Sequence, residues 1–198
     1  MAQPVFYPEE LRFLRQRAAL AAQCFPLRWI VELGTGCGLS TQALAEGLCE
    51  HKPAGSAKVL TIDDYRQAEL FQWSAPVAVE RIRQAGLDPW VEFRQADTHG
   101  DCWEAWTDPV HLIFIDAGHD YASAKADFDV WLPKLVTGGM VLCHDVMVEP
   151  DVLLRDGALE GLQDDGYLGS TIAFGQALKA TAPSMMGRCM TIGWFVVG

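Results

Sequence analysis

Several things are missing from this chain of 198 residues. Its six cysteines, at 24, 37, 49, 102, 143 and 189, include no C-x-x-C pair and no zinc-like spacing. Reduced, mostly buried thiols in a cytoplasmic protein are the expectation. There is no basic run, and the formal net charge is −11. That disfavours nucleic acid or an anionic membrane as a partner, since neither would find a cationic surface. No apolar run reaches membrane-spanning length. The first residues lack a basic segment followed by an apolar core, so no signal peptide is expected. Repeats and low-complexity tracts are also absent. The length suggests a single domain over 1–198, with a sizeable core.

What is present centres on Trp29 to Leu48. Trp29 to Leu33 reads as a short buried strand, with branched residues at Ile30 and Val31. Gly34, Thr35, Gly36, Cys37 and Gly38 follow, with glycine at every second position. A helix then runs to about Leu48, with the hydroxyls of Ser40 and Thr41 near its start. Glycines at this density let the backbone turn sharply and come close to a ligand. The dinucleotide fingerprint G-x-G-x-x-G is not met, because Leu39 stands where its third glycine belongs. That spacing suits a pyrophosphate less well. Glu32 points the same way: a carboxylate beside the turn suits a cation, such as an amino-acid ammonium.

The pattern E-x-G-x-G-x-G after an apolar strand resembles motif I of the class I S-adenosylmethionine methyltransferases. The resemblance implies that Glu32, Gly34, Thr35, Gly36, Gly38 and Ser40 cradle the methionine half of that cofactor.

The rest of the chain alternates strand and helix. Pro8 to about Gln23 has helical periodicity, with Leu11, Leu14, Ala18 and Ala22 on one side. Such a helix would close over a cofactor, build a homodimer contact, or simply cover the sheet. A polar loop, Glu50 to Lys58, leads to a strand, Val59 to Ile62, that ends in Asp63 and Asp64. An acid there is placed to accept from two ribose hydroxyls, or to cap a helix. Asp63 is the choice, because its T-I-acid context matches the family pattern.

A helix over Gln72–Gly86, a third strand over Trp90–Arg94 and a short helix over Asp101–Asp108 are predicted next. In the resembled family a polar residue after the third strand meets the adenine amino group. That implies Asp97, which as a loop residue also suits an Asx-turn. Trp103 stacks on adenine or packs in the core. His111 to Ile115 reads as the fourth strand, Ser123 to Leu135 as a helix and Met140 to Cys143 as the fifth strand. Pro150 to Gly169 is acidic and reads as a mobile segment near a substrate mouth. A helix, Ser170 to Ala180, and a final strand, Arg188 to Val197, complete the pattern. The predicted fold is α/β: a doubly wound, mostly parallel Rossmann-like sheet with helices on both faces.

Two successive strands of that sheet end in Asp116 and in His144-Asp145. As neighbours about 4.8 Å apart, they bring two carboxylates and an imidazole to the edge where ligands bind. Like charges so close need a cation or a proton between them. Mg²⁺ would suit the oxygens of Asp116 and Asp145, whereas His144 suits Mn²⁺, Fe²⁺ or Zn²⁺ better.

The segments IDAGHDY and PKLVTGGMVLCHDV are similar to the macrocin O-methyltransferase group and, more distantly, to catechol O-methyltransferase. The similarity covers Trp29 to Val146. It implies a metal held by Asp116, His144 and Asp145, with His144 standing where other members carry an acid. It also implies His119 as general base, and Asp116 beside both cofactor and reaction. An imidazole titrates near neutrality and can take a hydroxyl proton. His51, His99 and His111 have no partners in sequence and read as surface or packing residues.

The expected activity is therefore methyl transfer to a hydroxyl of a small molecule, with a divalent metal assisting. A nicotinamide-dependent oxidoreductase and a non-catalytic binding module are the alternatives.

Overall fold

A computed structural model of the protein describes residues 6–24, 26, 28–66, 74–160, 162 and 168–198. One sheet of seven strands runs in the order β3-β2-β1-β4-β5-β7-β6. The strands are β1 (Trp29–Leu33), β2 (Lys58–Asp63), β3 (Val91–Gln95), β4 (Val110–Ile115), β5 (Leu135–Cys143), β6 (Met185–Cys189) and β7 (Ile192–Val196). The first five are parallel, and β7 and β6 add an antiparallel hairpin. The predicted architecture is therefore present. The final strand, however, is only the second half of a hairpin.

The helices are α1 (Pro8–Cys24), α2 (Leu39–Cys49), α3 (Ala75–Gln84), α4 (Tyr121–Trp131), α5 (Pro150–Leu153) and α6 (Gly169–Thr181). Strand side chains alternate between two cores, as a strand's period of two requires. Ile30, Val59, Leu112, Phe114, Met140 and Leu142 face α1, α2 and α3. Val31, Leu60, Ile113, Ile115, Val141 and Cys143 face α4 and α6. Both faces are covered, which is why these strands read as continuous apolar runs. On α1, Leu14, Ala18 and Ala22 are buried in the core shared with α2 and the sheet, and Arg15 and Ala18 abut Gly47 of α2.

Several boundaries differ from the sequence reading. The helix predicted from Gln72 is described from Ala75 on, and Gln72 lies outside the described residues. Trp90 belongs to a 3-10 turn before β3. The helix predicted over Asp101–Asp108 is only a 3-10 turn, Asp101–Trp103. Here tryptophan packing rather than a helical repeat set the spacing of Trp103 and Trp106. In the acidic segment after Pro150, Leu153 is fully buried and Leu159 packs on the same core, so that part is anchored. Residues 161 and 163–167 of it lie outside the described residues. The cysteines are all unpaired, but only Cys143 is buried, while Cys24 and Cys102 are exposed.

The chain leaves β1 toward β2 and β3, then returns to β4 on β1's other side. The ends of β1 and β4 therefore flank the point where strand order reverses, the usual place for a crevice.

Candidate active site

The glycine turn is locked to the end of β4. The amide of Gly34 donates to the Ile62 carbonyl at 2.8 Å, and that of Asp116 to the Leu33 carbonyl at 2.8 Å. Gly34 has φ +94°, and a Cβ on it would lie 2.0 Å from the Asp116 carbonyl oxygen. No other residue fits there. Gly38, at φ +80°, abuts α3 instead: its Cβ would lie 3.1 Å from Ala78 Cα. The sequence reading had it open to a ligand; its smallness serves helix packing.

Asp63 closes the turn from β2. Its Oδ2 accepts from the amides of Thr35 at 3.0 Å and Gly36 at 2.9 Å. Its Oδ1 accepts from the amide of Tyr65 at 2.7 Å. Oδ2 has both lone pairs engaged, whereas Oδ1 keeps one for a further donor.

Beneath the turn lies Glu32, fully buried. Its Oε2 accepts from the Thr41 hydroxyl at 2.5 Å. Its Oε1 is buried with no hydrogen-bond partner among the described residues. Burial pushes this carboxyl up to about 7, against the pull of the Ser40, Thr41 and Thr61 hydroxyls. Ser40 is itself buried, so its hydroxyl belongs to this floor and not to the surface of a cradle.

After β3, Asp97 forms an Asx-turn: its Oδ1 accepts from the His99 amide at 3.2 Å. Its Oδ2 meets Arg66 Nη2 at 3.0 Å. Trp103 is buried against Trp131, with ring centroids 5.2 Å apart, and its Nε1 donates to the Asp97 carbonyl at 2.7 Å. It therefore packs, and fixes the Asp97 loop from below. His99, read from sequence as partnerless, meets Asp127 Oδ1 at 3.1 Å. The Thr98 hydroxyl donates to the same oxygen at 2.6 Å. Burial pushes the Asp127 carboxyl up to about 6, even with these partners. His51 also has one, Gln23 Nε2 at 2.8 Å.

The third group is the edge of β4 and β5, paired through Ile115 and Cys143. Asp116, His144 and Asp145 do converge there. His144 Nδ1 lies 3.1 Å from Asp116 Oδ1 and 3.4 Å from Asp145 Oδ1. Its Nε2 lies 3.6 Å from Glu10 Oε2, an ion-pair distance slightly beyond a hydrogen bond. The ring packs on Phe6, with centroids 4.7 Å apart. Burial alone would push this imidazole down. The Asp116 charge and the nearby carboxylates of Asp116, Asp145 and Glu10 outweigh it and raise His144 to about 12, although Nε2 is buried without a hydrogen bond among the described residues.

Glu10 responds in kind. Burial works to raise it, but His144, Thr191 and backbone donors hold it down at about 2. Its Oε1 accepts from the amide of Thr191 at 3.0 Å and from its hydroxyl at 2.6 Å. Asp145 has φ +57°, a strained conformation for a residue other than glycine. The Thr171 hydroxyl pins it by donating to its carbonyl at 3.1 Å. The second Asp145 oxygen, Oδ2, lies 3.3 Å from His119 Nδ1. The His119 loop is itself held, since the Ser170 amide at the start of α6 donates to the His119 carbonyl at 3.1 Å.

Glu10 is the member of this group that sequence reading missed. Among the described residues no three His, Cys, Asp or Glu side chains are arranged to hold a metal ion. The expected metal ligands meet, but with an imidazole between the carboxylates.

Residues 31–146 match the family described as a methyltransferase domain. The chain belongs to that family. Several solved methyltransferase structures share its fold. One is the O-methyltransferase NovP, with a TM-score of 0.73 at 16% identity, covering 100% of this chain and 83% of that one. Another is the O-methyltransferase from Bacillus cereus in complex with SAH, at TM-score 0.67 and 21% identity, covering 98% and 84%. A third is TomG from Streptomyces achromogenes in complex with SAM, at TM-score 0.64 and 20% identity, covering 98% and 82%. The sheet and its helices are thus those of a class I methyltransferase. An uncharacterized protein of Sinorhizobium fredii, y4gI, is 28% identical over 155 residues. The match takes in 75% of this chain but spans only 16% of that much longer relative.

Proposed function

We propose that the protein transfers a methyl group from S-adenosylmethionine to a hydroxyl of a small molecule. The observation that carries this is the unpartnered Oε1 of Glu32, buried under the glycine turn at the switch point of a methyltransferase sheet. A buried carboxylate oxygen without a donor is costly. The ammonium of the cofactor's methionine half, directly or through a water, satisfies it. Solved O-methyltransferases of the same fold, two of them in complex with SAM or SAH, support the same reading.

In this reading Gly34, Thr35, Gly36 and Gly38 shape the turn around the methionine half, and Glu32 with Ser40 forms its floor. Asp63 accepts from a ribose hydroxyl at the open lone pair of Oδ1 while Oδ2 holds the turn amides. Asp97 accepts from the adenine amino group once exposed Arg66 moves aside. Asp116 flanks cofactor and acceptor. When bound, S-adenosylmethionine supplies an electrophilic methyl group on a sulfonium. His119 takes the proton of the acceptor hydroxyl, and Asp145 fixes its ring and tautomer through Nδ1. The chain's other task is alignment.

A single methyltransferase domain over 1–198 is supported by the one sheet that unites the described strands. A cytoplasmic location agrees with the unpaired thiols. No described helix is long and apolar enough to cross a membrane.

Mass-spectrometric detection of methylated products from a panel of phenols, sugars and hydroxy acids, with S-adenosylmethionine as donor, tests the reading. A product gaining one methyl, lost in His119→Ala, is expected. Binding of NADH with no binding of S-adenosylmethionine would transfer the site to the oxidoreductase reading.

A further inference from the structure

The metal implied by family resemblance does not fit the donors at the β4–β5 edge. An imidazole ligates a metal through a nitrogen lone pair. Here Nδ1 faces two carboxylate oxygens, of Asp116 and Asp145, and Nε2 faces a third, of Glu10. Each nitrogen therefore has carboxylate oxygens at ion-pair distance and is placed to carry a hydrogen, although the buried Nε2 makes no hydrogen bond among the described residues. The ring cannot easily leave. It is 9% exposed, packed at a tilt against Phe6, and Glu10 behind it is fully buried. Three carboxylates closing on one point need a positive charge among them.

We propose that the His144 side chain is the resident cation of this edge, standing where metal-dependent relatives would hold a divalent ion, so that the protein works without a metal. The ring keeps Asp116 and Asp145 together and ionised. That leaves Asp145 Oδ2 to orient His119. A single-residue change from acid to histidine thus exchanges an external cation for an internal one. The proposal rests on the methyl-transfer reading for its chemistry, but its test reads metal binding and stability. A failure of either is therefore distinguishable, provided S-adenosylmethionine binding is measured in the same samples.

The test titrates Mn²⁺ into chelator-treated protein, following the free-ion electron paramagnetic resonance signal and the melting temperature. The wild type is expected to leave the free Mn²⁺ signal and its melting temperature unchanged at millimolar metal. It should also bind S-adenosylmethionine equally well with and without chelator. His144→Asp removes the cation and adds an acid. It is expected to melt lower, to deplete free Mn²⁺ saturably, and to recover melting temperature as it does so. His144→Gln, closer in size, serves if the aspartate variant does not fold, with the same expected response at lower affinity. Saturable Mn²⁺ or Mg²⁺ binding by the wild type would overturn the proposal. So would variants that melt lower and show no response to metal.

Discussion

Carboxylates at two places along one edge of the sheet are treated in opposite ways. Under the glycine turn, Glu32 has hydroxyls for company and one oxygen with no donor. Two strands along, Asp116, Asp145 and Glu10 surround an imidazole at ion-pair distance from all three, its buried Nε2 making no hydrogen bond among the described residues. Burial raises the first acid to about 7, while the histidine partnership holds Glu10 down at about 2. The difference separates a site built to receive a cation from one that already contains its own. Acidic clusters at a ligand edge therefore cannot be equated by composition. What counts is whether their charge is already matched.

The sharpest way to break the comparison is to unseat both groups at once. Gly34→Ala puts a Cβ 2.0 Å from the Asp116 carbonyl in a left-handed conformation. It should cost more than about 4 kcal/mol and yield little folded protein, read by circular dichroism and melting. Removing the internal cation comes next. His144→Gln leaves buried acids unmatched and should cost on the order of 3–5 kcal/mol by denaturant unfolding. A comparable effect, but on rate alone, is expected for His119→Ala. Methyl transfer should fall by about 10²–10⁴-fold with unchanged cofactor affinity, measured by single-turnover product formation and calorimetry.

Glu32→Gln sharpens the contrast because its two effects have opposite signs. The folded-state pKa of Glu32 lies above its ordinary value, so the fold disfavours the charged form. No cost arises below pH 4.5, where the carboxyl is neutral in both states. The cost then grows as pH rises to about 7 and stays above it. It amounts to at most on the order of 3 kcal/mol. The amide variant should therefore melt higher than wild type at pH 8 and equally at pH 4. It should also bind S-adenosylmethionine at least about tenfold more weakly. Equal melting at pH 8 would contradict the account of this carboxylate.

Much of the fold was legible because its signals are local. The apolar runs of β1, β4 and β5 are continuous since both faces of the sheet are covered, and the glycine turn follows β1 directly. The meeting of Asp116, His144 and Asp145 followed from the expectation that β4 and β5 are adjacent. What escaped depends on distance in the chain or on weak patterns. Glu10 reads as an ordinary acid in the first turn of a helix. Its roles toward Thr191 and His144 come only from packing the two ends of the chain together. The Asp127–His99 pair likewise joins α4 to the loop after β3. Strand β6, MMGRC, is an edge strand with no alternation of buried and exposed residues, so nothing marked it. Glycine spacing revealed the turn but not which glycine meets a neighbour, as Gly38 does with Ala78 of α3.

Isothermal titration of S-adenosylmethionine into chelator-treated protein tests the central claim most directly. The account predicts one saturable site per chain, with the same affinity before and after chelation and weakened binding in Glu32→Gln. Folded wild-type protein that gives no heat with this cofactor or with its demethylated product would contradict it.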